Sequence, residues 1–386
     1  MNKKIFLMLS LPLVLAACGE KKDGGSETFA IEDASGRTVS IDPKKRERVL
    51  CIGAGALRLY SYVGDMSLLC AAEDIDRGVA GANPFAKVSR PYYDLYATQL
   101  SSLPSCGRGG PKNQAAEAEK IISCRPDIIL SEYGDVDAAN NLQAMVGVPV
   151  VTLSYGPKSV FDPAVKKSLE ILGKAFGREE KADALIDYIS ASEKELGEKA
   201  AERVAEKKSL YIGCLGNWGT QDILSTSPKF PLFAVSSIQN AVADVDPAGM
   251  NLANGIGKID LEKLLSIDPD VIILDAAGVA NFKAIYQENA DIKASYDSLS
   301  AFQNGQVYLE MPFNAYYTNL EVALMDAYYA ASIAYPDAYA GFDIAKKSDE
   351  ISEAFLGAKM YGTIAAAEYS YGGFQRIQDV ASFLAQ

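Results

Sequence analysis

The sequence predicts an α/β protein of two Rossmann-like lobes joined by a single long helix, with a ligand cleft between the lobes. Three observations predict it. First, one unit occurs twice: residues 118–130 (AEKIISCRPDIIL) and 261–274 (LEKLLSIDPDVIIL) each give an amphipathic helix end, a Pro-Asp turn and an apolar β-branched run of the kind that forms a buried parallel strand. Second, a stretch without strand signals lies between them. Asp162-Pro163 reads as an N-cap and first-turn proline, Val165, Leu169, Leu172 and Phe176 recur at helical spacing, and Gly177 closes that helix. A longer helix then runs from 179 to about 207 on an Ala182, Leu185, Ile186, Ile189, Leu196 and Ala200 stripe, long enough to span two lobes. Third, 386 residues suffice for two cores. The expected division is 1–17 signal peptide, 18–28 tether, 29–157 first lobe, 158–208 connecting helices and 209–386 second lobe.

The N-terminus reads as an address. Lys3 and Lys4 precede an apolar run over 5–15 that is too short to cross a bilayer, and Leu15-Ala16-Ala17-Cys18 forms a lipobox whose Cys18 is the expected lipidation site. The Gly- and Lys-bearing segment after it reads as a flexible tether. Removing residues 1–17 takes away two lysines and no acids, moving the net charge from −13 to −15, so the body is a poor nucleic-acid binder. No later stretch is apolar enough to span a membrane, so the lipid is the expected membrane attachment. The five cysteines beyond Cys18 show no C-x-x-C spacing, and Cys51, Cys124 and Cys214 sit in apolar, strand-like surroundings that suit free thiols; one or two disulfides stay open.

The chain has no histidine. Ser-His-Asp and Cys-His catalysis, His-bearing zinc sites and haem ligation by histidine are therefore excluded. Carboxylate-only hydrolysis survives as an alternative, although no pair among the 50 acidic residues is singled out. No cofactor and no resident metal is expected.

In the first lobe, residues 29–41 read as a hairpin turning at Gly36-Arg37, and 49–53 as the first buried strand. The strand feeds Gly53-Ala54-Gly55-Ala56-Leu57-Arg58, with Glu73 and Asp74 about twenty residues on. A dinucleotide site is rejected because arginine stands where the third glycine belongs. Residues 74–113 read as a long irregular loop carrying Arg77, Arg90, Tyr92, Tyr93, Tyr96 and Arg108 among glycines and prolines, side-chain types that line a small-molecule cleft. Two further strands end at Ser131-Glu132-Tyr133-Gly134 and Ser154-Tyr155-Gly156-Pro157, and ligands sit at such carboxyl ends.

In the second lobe, the strand from Ser209 runs into Leu215-Gly216-Asn217-Trp218-Gly219-Thr220, which holds the single tryptophan of the chain. The glycines let Trp218 present a ring face to a ligand; core packing is the alternative. After strands ending near Asp275 and Leu309 comes Met311-Pro312-Phe313-Asn314-Ala315-Tyr316-Tyr317, then a helix over 320–334 with Thr318 or Asn319 as cap. Tyr316 and Tyr317 thus precede a helix N-terminus, which favours anions.

Lipobox, paired Pro-Asp halves, one linking helix, Arg90-Pro91-Tyr92-Tyr93, Gly109-Gly110-Pro111, and the run from Tyr316-Tyr317-Thr318-Asn319 through Glu321, Ala323-Leu324 and Asp326-Ala327-Tyr328-Tyr329 together resemble the helical-backbone class of ABC-transporter solute-binding lipoproteins. That class delivers ferric siderophores, haem, cobalamin, or molybdate and tungstate. The resemblance implies no enzyme activity. It implies a monomer that captures a metal chelate between its lobes, moves them little, and delivers the solute to a membrane permease and its ATPase. Many relatives dock through a glutamate on each lobe; where they read Gly-Glu-Asn this chain has Ile238-Gln239-Asn240. The expected ligand-binding residues are Arg90, Tyr92, Tyr93, Arg108, Trp218, Tyr316 and Tyr317. A molybdate or tungstate oxyanion is the alternative ligand, and a surface adhesin is a further alternative class.

Overall fold

The computed structural model describes residues 28–110, 116–156, 159–201, 208–216 and 221–385. The first lobe opens with the hairpin β1 (Phe29–Glu32) and β2 (Thr38–Ile41), paired antiparallel from Phe29↔Ile41. Then come β3 (Val49–Ile52), α1 (Ala56–Val63), α2 (Pro91–Ser102), α3 (Ala118–Cys124), β4 (Ile128–Ser131), α4 (Val136–Val146) and β5 (Val150–Thr152), with a parallel sheet ordered β3-β4-β5. Two spine helices follow, α5 (Pro163–Phe176) and α6 (Glu179–Ala201).

The second lobe has β6 (Leu210–Gly213), β7 (Ser225–Thr226), α7 (Pro231–Ala234), β8 (Gly257–Lys258), α8 (Leu261–Ile267), β9 (Val271–Asp275), α9 (Ala276–Glu288), α10 (Ala290–Asp297), α11 (Ser300–Gln303), β10 (Val307–Glu310), α12 (Leu320–Ala334), α13 (Ile344–Leu356), α14 (Tyr361–Ala366), β11 (Gln375–Ile377) and α15 (Val380–Ala385). Its sheet runs β11-β10-β9-β6, parallel except for β11.

The repeated Pro-Asp unit is repeated in geometry. Arg125 and Asp268, the residues before each proline, cap α3 and α8 in the left-handed conformation (φ 50° and 40°). The aspartate then ties the incoming strand to the start of its neighbour. Asp127 Oδ2 accepts from the backbone N–H groups of Glu47 and Arg48 at 3.0 Å ahead of β3, and Asp270 Oδ2 accepts from the N–H and hydroxyl of Ser209 at 2.8 Å ahead of β6. Proline stops the helix, and the carboxylate satisfies donors that the strand edge leaves open.

The sheets are buried on both faces. In β3, Val49 and Cys51 enter one core while Leu50 and Ile52 enter another; in β9, Val271 and Ile273 separate likewise from Ile272 and Leu274. The largest core is shared between the lobes. It runs from Val49 and Tyr62 through Leu169, Leu172, Leu185 and Leu196 of the spine to Leu320, Leu324 and Phe355 of α12 and α13. The spine is as expected through α6, which Asp162 and Gly177 precede as N-cap and left-handed C-cap of α5. The 23 residues of α6 give it a length of about 35 Å. The expected continuation to 207 lies outside the described residues.

Residues 74–113 differ from the expected irregular loop, because they contain the 12-residue helix α2. Pro91 occupies its first turn, where no N–H is needed, but Arg90 offers no side-chain cap and three tyrosines interrupt any apolar stripe. Tertiary packing of Tyr92 and Leu100 holds the helix. Asn319 occupies the N-cap of α12 without capping it through its side chain, which instead donates to the Phe313 carbonyl at 3.3 Å.

Candidate functional site

The segments that follow the carboxyl ends of β3, β4 and β5 meet the turn that follows β10 of the other lobe. β3 leads into Gly53 and Gly55, both at positive φ, and a Cβ on Gly55 would lie 2.6 Å from the Tyr155 hydroxyl oxygen. That clearance seats the Tyr155 ring, whose hydroxyl donates to the Gly55 carbonyl at 2.9 Å.

Arg58, in the first turn of α1, is fully buried and reaches into the other lobe. Its Nη1 donates to the carbonyls of Tyr316 (2.9 Å) and Thr318 (3.0 Å), and Nη2 to that of Ala315 (2.8 Å). These carbonyls belong to an unusual turn, in which Tyr316 and Tyr317 both take left-handed φ values, 54° and 64°. Such a backbone costs about 1–3 kcal/mol per residue and persists only when its surroundings impose it. Arg58 is one such restraint. A second is Glu73, whose Oε2 accepts from the Tyr316 hydroxyl at 2.8 Å and from Gly53 N–H at 3.2 Å, while Gly110 N–H donates to the Tyr316 hydroxyl at 3.2 Å. A third cross-lobe bond runs from the Tyr62 hydroxyl to Glu321 at the start of α12.

Tyr316 is therefore a buried anchor, and Tyr317 is the exposed half of the pair at 43 %, its ring 5.6 Å from that of Tyr155. Glu132, one residue past β4, is half-buried. Burial pushes its carboxyl up to about 8 against the pull of the Tyr155 backbone N–H. Glu73 is pushed to about 7 by burial and then by the charge of Asp76. Neither has an ion pair among the described residues.

The expected residues fall into distinct places. Arg90 and Tyr92 are buried in the first lobe, where Arg90 Nη1 meets Asp76 at 2.8 Å, Nη2 donates to the Ile75 carbonyl at 3.0 Å, and the Tyr92 hydroxyl donates to the same Asp76 oxygen at 2.7 Å. The Arg90 guanidinium also lies 4.4 Å from the Tyr93 ring centre and 5.9 Å from that of Tyr316, which joins this cluster to the cleft. Tyr93 is half-buried beside a cavity of about 260 Å³ lined by Gly78, Asn83, Phe85 and Asp94. Arg108 is exposed, and its backbone N–H donates to Glu117 at 2.6 Å. Trp218 and Cys18 lie outside the described residues.

Residues 83–88 form a strap from the first lobe to the second. The Phe85 ring stands 6.3 Å from Tyr316, the Lys87 carbonyl accepts from Tyr369 N–H at 2.9 Å, and Lys87 Nζ pairs with Glu368 at 2.6 Å. Arg58, Glu73, Glu132 and Tyr155 are additions to the expected set. The strand ends carrying Glu132 and Tyr155 were legible as a cleft edge, whereas the cross-lobe partners of Arg58 and Glu73 stand more than 240 residues away and leave no local pattern.

A second group of acids lies inside the second lobe. Asp275 and Glu310 are direct partners at the ends of β9 and β10, and Asp326 of α12 accepts from Met311 N–H at 3.0 Å. All three are fully buried. Asp275 Oδ2, both Glu310 carboxyl oxygens and Asp326 Oδ2 have no partner among the described residues. Burial raises Asp275 to about 7 and holds Glu310 and Asp326 well above the usual carboxylate range. No group of three or more acidic or cysteine side chains suited to a metal ion occurs among the described residues.

Comparison with known proteins gives the same architecture. The chain is 24 % identical over 281 residues to the uncharacterized ABC transporter substrate-binding lipoprotein YvrC of Bacillus subtilis, covering 69 % of this chain and 78 % of that protein. Among solved structures, it resembles a periplasmic solute binding protein of Veillonella parvula with a TM-score of 0.67 and 18 % identity, over 92 % of this chain and all of that one. The molybdate protein MolA of Haemophilus influenzae, solved with molybdate, matches with a TM-score of 0.61 and 16 % identity, over 86 % and 98 % of the two chains. The family model described as periplasmic binding protein matches residues 87–310, more than half of the sequence, and the chain belongs to that family of binding proteins, which are not enzymes.

Proposed function

We propose that this chain is the extracytoplasmic solute-binding component of an ABC importer, and that it captures an iron or other metal chelate between its lobes for delivery to a permease and ATPase. The observation that carries the ligand class is the cleft's chemistry: the exposed ring of Tyr317, backed by the buried ring of Tyr155, stands beside Glu132, with Tyr316 fixing its turn. Aromatic walls with a few placed polar groups suit a chelate with flat organic surface. Tyr93 and Trp218 complete the proposed wall, and Arg90 supports it from beneath through Tyr93 and Tyr316. Tyr92 and Arg108 are assigned to the support and the rim.

The oxyanion reading draws on the likeness to MolA. Such a ligand needs free cationic donors. Among the described residues, the Nη groups of Arg58 and Arg90 bond to protein acceptors, and Arg108 is at the surface. The chelate reading therefore leads.

The test is to titrate ferric hydroxamates, ferric catecholates, haemin, cobalamin and molybdate into wild type and variants by calorimetry, because Trp218 is the single tryptophan and its replacement removes the fluorescence signal. Trp218→Ala and Tyr317→Ala should each weaken chelate binding about 5- to 100-fold, the loss expected when a ring leaves a desolvated contact. Tight molybdate binding that both variants leave untouched would replace the chelate reading with the oxyanion one.

Lipid attachment at Cys18 is part of the proposal and is supported by the lipobox and by the lipoprotein relative. Cys18→Ser should move the protein from the membrane fraction to the soluble one, or leave it unprocessed. A processed variant that still sediments with membranes would remove the anchor from the scheme.

A further inference from the structure

Glu132 stands at the middle strand of the first sheet, one residue past the end of β4, where a ligand held between the lobes meets that sheet. Its backbone is fixed by a bond from its N–H to the Ile52 carbonyl at 3.0 Å, and a Cβ on Gly53 would come within 3.2 Å of Glu132 Cβ, so the glycine turn leaves room for this side chain. The groups around it are phenols, a carboxyl and the Tyr155 backbone N–H, which donates to it. Tyr155 comes from the end of β5, Tyr317 from the turn before α12 and Tyr133 from its own segment, and Glu73 lies beyond Gly53 with the Tyr133 hydroxyl donating to it at 3.4 Å. The cation on this side, Arg58, donates from Nη1 to the Tyr155 hydroxyl at 3.4 Å, and its Nη groups bond to the carbonyls of residues 315, 316 and 318. Glu132 thus faces the cleft with no counter-charge from the described residues.

We propose that Glu132 reads the charge of the ligand: its carboxyl receives the cationic or metal-bearing part of a chelate and releases a proton to solvent as it does so, which selects against small oxyanions. The inference rests on the chelate reading above and adds to it the residue that discriminates. A carboxyl placed at the strand end without a counter-charge among the described residues opposes molybdate, since its ionised form repels a dianion. Burial holds the group protonated near neutral pH, so a positive centre must displace the proton, and apparent affinity should fall up to tenfold for each pH unit below about 8.

The experiment is calorimetric titration of the full chain with a cationic ferric tris-hydroxamate, haemin and sodium molybdate. It is run in two buffers of different ionisation heat at pH 7 and again across pH 6 to 8.5, with wild type, Glu132→Gln and Glu132→Asp. The wild type should release about one proton on binding the chelate. Glu132→Gln should bind it at least tenfold more weakly at pH 8.5 and with a flat pH profile, and Glu132→Asp should keep the pH dependence. Chelate binding without proton release and unchanged in Glu132→Gln overturns this inference and leaves the chelate reading standing. Tight molybdate binding, or binding of neither chelate to the wild type, removes the chelate reading and this inference together.

Discussion

Arg58→Ala should cost about 4 kcal/mol of folding stability and lower ligand affinity at least tenfold, the largest single-residue effect expected in this chain. The substitution strips donors from the buried carbonyls of Ala315, Tyr316 and Thr318, and each unsatisfied group costs about 1–3 kcal/mol before relaxation and water entry reduce the sum. It also frees two adjacent left-handed tyrosines, which lose the clamp that offsets their strain. Tyr317 would then leave its place against Tyr155, coupling the stability loss to a binding loss. Arg58→Lys keeps the charge but concentrates it on one ammonium that cannot span three carbonyls in a fixed fork, so less than half of the loss should be recovered. Urea denaturation with parallel ligand titration measures both. A variant within 1 kcal/mol of wild type, binding normally, would show that the interlobe clamp does not hold the turn.

The protein should be most stable in mildly acidic solution and lose stability as pH rises from about 5 to 8. Glu73 and Asp275 are each raised to about 7, Glu132 to about 8, and Glu310 and Asp326 are raised as well, in every case first by burial. The sign follows from linkage. A carboxyl whose folded pKa exceeds its unfolded value binds its proton more tightly in the native state, so its stability contribution is complete below the unfolded pKa near 4 and disappears as pH climbs through the folded value. Asp275 alone moves from 3.8 to about 7, which is roughly 4 kcal/mol across that window. Asp275→Asn retains the oxygen that caps α9 by accepting from Ala277 N–H at 2.9 Å and should flatten the profile. Melting temperatures in matched ionic strength at pH 5, 6, 7 and 8 give the test. A profile that is level, or that rises toward pH 8, would mean that these acids are ionised and compensated in the native protein.

The sequence by itself determined the elements whose signals are local. Two Pro-Asp units mark two lobes because proline ends a helix and aspartate takes the donors at the next strand's edge, and both residue types carry that chemistry wherever they stand. Apolar runs of four or five residues show parallel strands buried on both faces, and the stripe from Ala182 to Ala200 shows the spine. The absence of histidine excludes histidine-based catalysis and His-bearing metal sites whatever the fold. Tertiary structure alone decided the cleft. Glu73 stands twenty residues after Gly53 and does return to that glycine's N–H, yet its second partner is Tyr316 of the other lobe. Arg58 stood out in the sequence only as the residue that spoils a dinucleotide fingerprint, but its carbonyl acceptors lie 257 to 260 residues away. Arg90 and Tyr92, legible as cleft-type residues, turn toward Asp76 because a buried guanidinium needs acceptors for its N–H groups, and the fold brings the Asp76 carboxylate within 2.8 Å. Helix α2 formed where propensity was weak because Tyr92 and Leu100 found a core to enter. Periodicity and turn chemistry act over a few residues and can be read along the chain; charge compensation in a buried space depends on which distant groups the packed lobes place together.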